Sequence, residues 1–180
     1  MPGPPPVADR RWVADHLTEG EAAIWAAMSH PDQRHSVEVA RAVEAEVRRR
    51  DATTGDGGRD WAALDGWFDS VSDRRRVMVR AALLHDSGKN ASGLGTFARV
   101  GATLLRPLVS PARRRRWREG TGVSNRLSRY WRHPQIGSQA IAQTGSHRLV
   151  ALWAAEHHLA PERWSLPVEL GEILRDCDDD

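Results

Sequence analysis

The chain has 180 residues, 40% hydrophobic and 28% charged, with a formal charge of only +2, which suits one domain with a sizeable core. No apolar run approaches the roughly 18 residues of a membrane span, and the N-terminus lacks the basic-then-apolar pattern of a secretory signal. A single cysteine, Cys177, excludes an internal disulfide framework and points to a cytoplasmic setting.

The opening, Met1-Pro2-Gly3-Pro4-Pro5-Pro6, is Pro-rich; residues 1–12 are expected to be disordered and 13–180 to form one domain. Thr18-Glu19-Gly20-Glu21 matches a capping box and predicts a helix from about Glu19 to Met28 with Ile24 and Trp25 facing inward. Pro31-Asp32 opens a helix that carries His35, Val39, Val43 and Val47. Asp51 to Asp60, rich in Gly and Thr, reads as a loop, followed by a short helix around Trp61 to Phe68. Ser72 is the expected cap of a helix through Val77, Val79, Ala81 and Leu84.

Leu94, Phe97, Leu104, Leu105 and Leu108 suggest a helix ending near Pro111, and Arg113 to Arg118 form a basic run. Pro134 starts another helix, with Ile136, Ala140 and Ile141. Ser146 is the expected cap of one running through Val150 and Trp153 to His157-His158. Pro167 starts the last, whose buried stripe is Leu170, Ile173, Leu174 and Cys177. No alternating strand pattern of useful length is present, so the fold class is all-α.

The stretch Ala81-Ala82-Leu83-Leu84-His85-Asp86-Ser87-Gly88-Lys89 organises the chemistry. An apolar, helix-favouring lead-in delivers an adjacent imidazole and carboxylate, and Gly88 is the expected left-handed residue that ends the helix. Such a pair can hold one divalent metal, and the carboxylate can bridge to a second. His35, His133, His157 and His158 also lie at or near predicted helix ends, and Asp178 follows the last buried position of the final helix. Imidazoles and carboxylates are the ligands expected for Mn, Fe, Co or Zn, and carboxylates also suit Mg.

The order His35, His85-Asp86, His133, His157-His158, Asp178 resembles the HD superfamily of metal-dependent phosphohydrolases, in particular the branch with an HDIG-type motif and a dinuclear site. The strings His35-Ser36-Val37-Glu38-Val39-Ala40, Leu83-Leu84-His85-Asp86-Ser87-Gly88-Lys89, His133-Pro134-Gln135-Ile136-Gly137 and Glu156-His157-His158 carry the likeness. It covers roughly residues 30 to 180 and implies an HD-domain helical bundle with a metal site between core helices. The resemblance implies that Asp86 bridges two divalent ions (Mn, Fe, Mg or Co). His35, His85 and Asp178 would complete one site and His133, His157 and His158 the other. A metal-bridging water would attack the phosphoester of a small phosphorylated substrate, a nucleotide or cyclic dinucleotide, with Lys89 facing its phosphate.

The chain departs from the family in places. Ser87 replaces the usual aliphatic residue, and Leu159-Ala160-Pro161 stands where the cyclic-di-GMP phosphodiesterase branch has Gly-Tyr-Pro, which argues against that substrate. Asp176, Asp178, Asp179 and Asp180 cluster at the end; Asp178 is the candidate because it follows a small residue and adjoins the buried stripe. Arg132, beside His133, is the candidate substrate contact from the arginine- and aromatic-rich region 113–132. That region reads equally as a solvated face, since among 26 basic side chains only Lys89 is a lysine. Two rival functions share this sequence: a diiron oxygenase of HD type, and a non-catalytic nucleotide- or RNA-binding module.

Overall fold

A computed structural model describes residues 3–54, 64 and 66–179. The fold is all-α, with no strand among the described residues. Among the described residues ten α-helices follow in order: α1 (Val7–His16), α2 (Glu19–Ala26), α3 (His30–Thr54), α4 (Val71–Leu84), α5 (Thr96–Leu105), α6 (Pro111–Glu119), α7 (Gly122–Trp131), α8 (His133–Gln143), α9 (Arg148–Glu156) and α10 (Val168–Asp179). Short 3-10 turns span Ser87–Ser92, Arg106–Leu108 and Pro161–Arg163. Among the described residues, no helix is long and apolar enough to cross a membrane.

The packing centre is α4. Its run Val77, Met78, Val79, Ala81, Ala82, Leu83 and Leu84 is wholly buried, apolar all round as expected of a helix enclosed by others. It lies against α3, which offers Val39, Val43 and Val47 at four-residue spacing, and against α9, which offers Val150, Trp153 and Ala154. Leu170, Ile173 and Leu174 bring α10 onto α3 and α4. The 3-10 turn after α4 packs on α7 and α8.

Several local expectations change. The segment expected to be disordered is helical from Val7: Pro6 immediately precedes the first turn, where its fixed φ and missing N–H cost nothing. Asp51 belongs to α3, which continues to Thr54, and its carboxylate pairs with Arg74 and Arg75 of α4. Most of the loop to Asp60, and Trp61 to Ala63 and Asp65 of the expected helix, lie outside the described residues. Ser70, not Ser72, caps α4 by accepting from the Asp73 N–H, 3.1 Å away. His147, not Ser146, caps α9 through Nδ1, 3.1 Å from the Leu149 N–H.

The Ser146 hydroxyl instead donates to Glu21 Oε1 at 2.5 Å. Glu21 is fully buried and closes the expected capping box, its Oε2 accepting from the Thr18 N–H at 2.8 Å. The helix expected to continue toward Pro111 stops at Leu105, and Pro111 begins α6. Its large apolar side chains face outward: Phe97 is 93% exposed, Leu104 70% and Leu108 79%.

Candidate metal centre

His85 and Asp86 leave α4 as its last turn tightens into the 3-10 turn, and both are buried. Gly88 does not terminate the helix through a left-handed conformation; positive φ occurs at Gly66, Gly93, Gly122 and Gly145. A glycine is required at 88 for a different reason. A Cβ there would stand 2.0 Å from the His133 carbonyl oxygen and 2.7 Å from the Gly137 nitrogen. Gly88 and Gly137 let the turn that carries Asp86 and Lys89 lie backbone to backbone on the start of α8, which carries His133. Ser87 is buried in the same contact, its Oγ 3.1 Å from where a Gly137 Cβ would stand.

The seven sequence candidates converge. Asp86, His133, His157 and His158 can place one ligand atom each within 4.8 Å of one another, and so can His35, His85 and Asp86. Asp86 is common to both groups. Asp178 Oδ1 lies 2.9 Å from His35 Nε2 and 3.3 Å from His85 Nε2. Its neighbours point elsewhere: Asp176 and Asp179 are exposed, and Asp180 is outside the described residues. Trp164 fixes α10 beside α9 by covering Gly171, where a Cβ would meet the indole at 2.4 Å, and by donating its N–H to the Glu156 carbonyl at 3.2 Å.

Three imidazoles share one arrangement. His85 Nδ1 is 2.8 Å from the Ala82 carbonyl, His133 Nδ1 2.8 Å from that of Tyr130, and His157 Nδ1 3.1 Å from that of Ala154. A carbonyl can only accept, so each Nδ1 carries hydrogen and each neutral ring presents a bare Nε2 lone pair. All three Nε2 atoms are buried without a hydrogen-bond partner, as is Asp86 Oδ1. They surround Asp86: His133 and His157 Nε2 are each 3.5 Å from Oδ1, and His85 Nε2 is 3.4 Å from Oδ2.

Lone pairs aimed at a buried carboxylate are unfavourable unless a cation or proton lies among them. Two ligands each about 2.1 Å from one ion stand roughly 3.0–3.4 Å apart at octahedral or tetrahedral angles, close to these separations. The Nδ1–H to carbonyl bonds are the outer partners that orient metal-binding histidines. The donor set therefore fits divalent metal, and this His/Asp group can hold such an ion.

The metal-free electrostatics agree. Burial disfavours a charged His85, yet Asp86 beside it and the Asp178 contact outweigh this and raise its pKa to about 10. Burial opposes ionisation of Asp86, but the His85 charge and the His133 and His157 contacts hold its pKa well below the usual carboxylate range. Asp178 is likewise lowered against burial by His35 and His85. Burial lowers the pKa of His157, with Asp86 opposing. A proton on His85 thus supplies positive charge that the two carboxylates demand.

Lys89 is half-buried, and its Nζ contacts Asp86 Oδ2. It also lines a cavity of about 320 Å³ shared with His133, His158, Tyr130, Arg106 and Thr103. Arg132 does not line this cavity. As the C-cap of α7 it faces a neighbouring one, and Arg106 supplies the guanidinium that lines the cavity beside His133 and His158. Sequence reasoning missed Arg106 and Thr103 because neither lies in a motif; only the fold of the 96–108 segment brings them here, while Gln135 of the His133 string also lines the cavity. Tyr130 was visible only as one aromatic in a basic region, yet its ring stacks on His133 with centroids 5.5 Å apart. No family model, curated protein or solved structure matches the chain.

Proposed function

We propose that this protein is a divalent-metal phosphohydrolase of the HD type, cleaving a phosphoester bond in a nucleotide or cyclic dinucleotide. One observation carries the reading: two groups of histidine donors share the buried Asp86 beside a cavity lined by Lys89 and Arg106. Bound in this site, two divalent ions (Mn, Fe, Mg or Co) would supply Lewis acidity and neutralise charge on the reacting phosphoryl group. Asp86 would hold both, His35, His85 and Asp178 completing one set and His133, His157 and His158 the other.

The remaining work belongs to the chain. The carbonyls of Ala82, Tyr130 and Ala154 hold the Nδ1 hydrogens of three imidazoles and so turn each Nε2 inward. Lys89, a compact charge, and Arg106, a planar fork, draw a phosphate into the cavity. Burial of His85, Asp86, His133 and His157 strengthens the charge interactions among them. Cations lining the cavity suit an anionic substrate, which favours hydrolysis over the oxygenase alternative. A single cysteine, which permits no internal disulfide, supports a cytoplasmic setting.

The test is cleavage of bis(4-nitrophenyl) phosphate by Mn-loaded protein under anaerobic conditions. Activity that falls to background in Asp86→Ala supports the proposal. Undiminished activity in that variant, or product formation that requires Fe and O₂, overturns it.

A further inference from the structure

A second cavity, of about 310 Å³, opens beside the first between α6, α7 and the Arg106–Leu108 turn. Arg106, Arg114, Arg115, Arg118 and Arg132 line it, and no carboxylate does. None of the five forms an ion pair with a described residue, and Arg114 Nε is buried without a hydrogen-bond partner. Arginine bias alone does not explain this. Arg114 and Arg132 are half-buried, Arg106, Arg115 and Arg118 exposed, whereas the well-covered arginines Arg74, Arg80 and Arg99 pair with Asp51, Glu21 and Asp32. Five like charges brought together without a counter-charge repel, and their planar forks match phosphate oxygens.

The two cavities are continuous in their lining. Arg106 and Trp131 belong to both. Trp131 is a rigid shared wall, its Nε1–H donating to the Ala102 carbonyl at 2.8 Å and its ring stacked on Trp117 with centroids 5.7 Å apart.

We infer that the arginine cavity is a phosphate-binding subsite and that the ligand carries two phosphoryl groups. Resting on the hydrolase reading, one phosphoryl group lies at the His/Asp centre and the other among Arg106, Arg114, Arg115, Arg118 and Arg132. The substrate class is therefore a phosphodiester bearing a second phosphate.

The binding test uses the full chain in EDTA, titrated calorimetrically with inorganic pyrophosphate, so that hydrolysis does not enter. Saturable binding that weakens about tenfold or more in the Arg115→Gln/Arg118→Gln double variant supports the subsite. Both side chains are exposed, so the fold is retained, as an unchanged circular dichroism spectrum checks. Binding within about twofold of wild type in that variant overturns it, as does an equal loss in Arg163→Gln, an exposed arginine outside the cavity.

A kinetic arm identifies the source of the phosphate. The double variant should raise KM for a 5′-phosphorylated dinucleotide about tenfold and leave KM for bis(4-nitrophenyl) phosphate unchanged. An equal rise for both substrates overturns the two-phosphate assignment. Because pyrophosphate binding is read without metal or turnover, the subsite and the hydrolase reading fail separately.

Discussion

Replacing Gly88 with alanine tests whether the turn carrying Asp86 and the start of α8 must touch backbone to backbone. The added Cβ would lie 2.0 Å from the His133 carbonyl oxygen, 2.8 Å from its carbon and 2.7 Å from the Gly137 nitrogen. Contacts under 3.0 Å essentially never occur at a real Cβ, so the two segments must separate by about 1 Å or more. No rotamer change relieves a clash with backbone. Overpacking commonly costs about 1–3 kcal/mol, and this case belongs at or above the upper end, about 3 kcal/mol. The same displacement moves His133 relative to Asp86.

Gly137→Ala is the matched control. Its Cβ would meet Gly88 N at 3.0 Å and Ser87 Oγ at 3.1 Å, a smaller strain. Alanine in a helix gains about 0.5–1 kcal/mol over glycine, so the net effect should be small. Urea denaturation followed by tryptophan fluorescence should separate the two variants by about 2 kcal/mol or more. A Gly88→Ala protein within about 0.5 kcal/mol of wild type would refute the packing argument.

Ser36→Ala should cost about 1–3 kcal/mol by denaturant titration, because Ser36 Oγ accepts the buried Trp25 Nε1–H at 3.0 Å; a neutral result would contradict that pairing. Thr18→Ala should cost about 1 kcal/mol through loss of the capping box, measured in the same way. The metal-free protein should show a two-sided pH response. The raised pKa of His85 makes its stabilising contribution complete below the unfolded value near 6.5 and lost as pH rises toward about 10. The lowered pKa values of Asp86 and Asp178 contribute above the unfolded carboxylate value near 3.9 and are lost on further acidification. Stability in EDTA should thus decline above about pH 6.5, and His85→Gln should flatten that decline; an unchanged slope would contradict the assignment.

Much of this fold was legible because burial imposes spacing. Val39, Val43 and Val47 repeat at helical intervals, and Thr18 with Glu21 announces a helix start by chemistry that acts within one turn. The convergence of the His/Asp set was legible in chain order, and Asp178, chosen for its place beside the buried stripe, lies within reach of His35 and His85. What failed depends on partners distant in sequence. Ser70 and Ser72, or Ser146 and His147, are equivalent caps until tertiary contacts select one, as Glu21 does by engaging Ser146. Gly88 suggested a left-handed helix end, whereas its role is set by His133 and Gly137, 45 and 49 positions away. Phe97, Leu104 and Leu108 suggested one helix ending near Pro111, but α5 stops at Leu105 and all three side chains are exposed. Adjacency to His133 suggested that Arg132 faces the metal-side cavity, whereas the close of α7 turns it into the neighbouring arginine cavity.

The central claim is that two metal positions share Asp86. Elemental analysis of the purified chain after anaerobic reconstitution with Mn, and separately with Fe, tests it most directly. The account predicts about two ions per wild-type chain, about one in His133→Ala and almost none in Asp86→Ala. A wild-type chain that retains no metal, or a His133→Ala chain that retains as much as wild type, would contradict it.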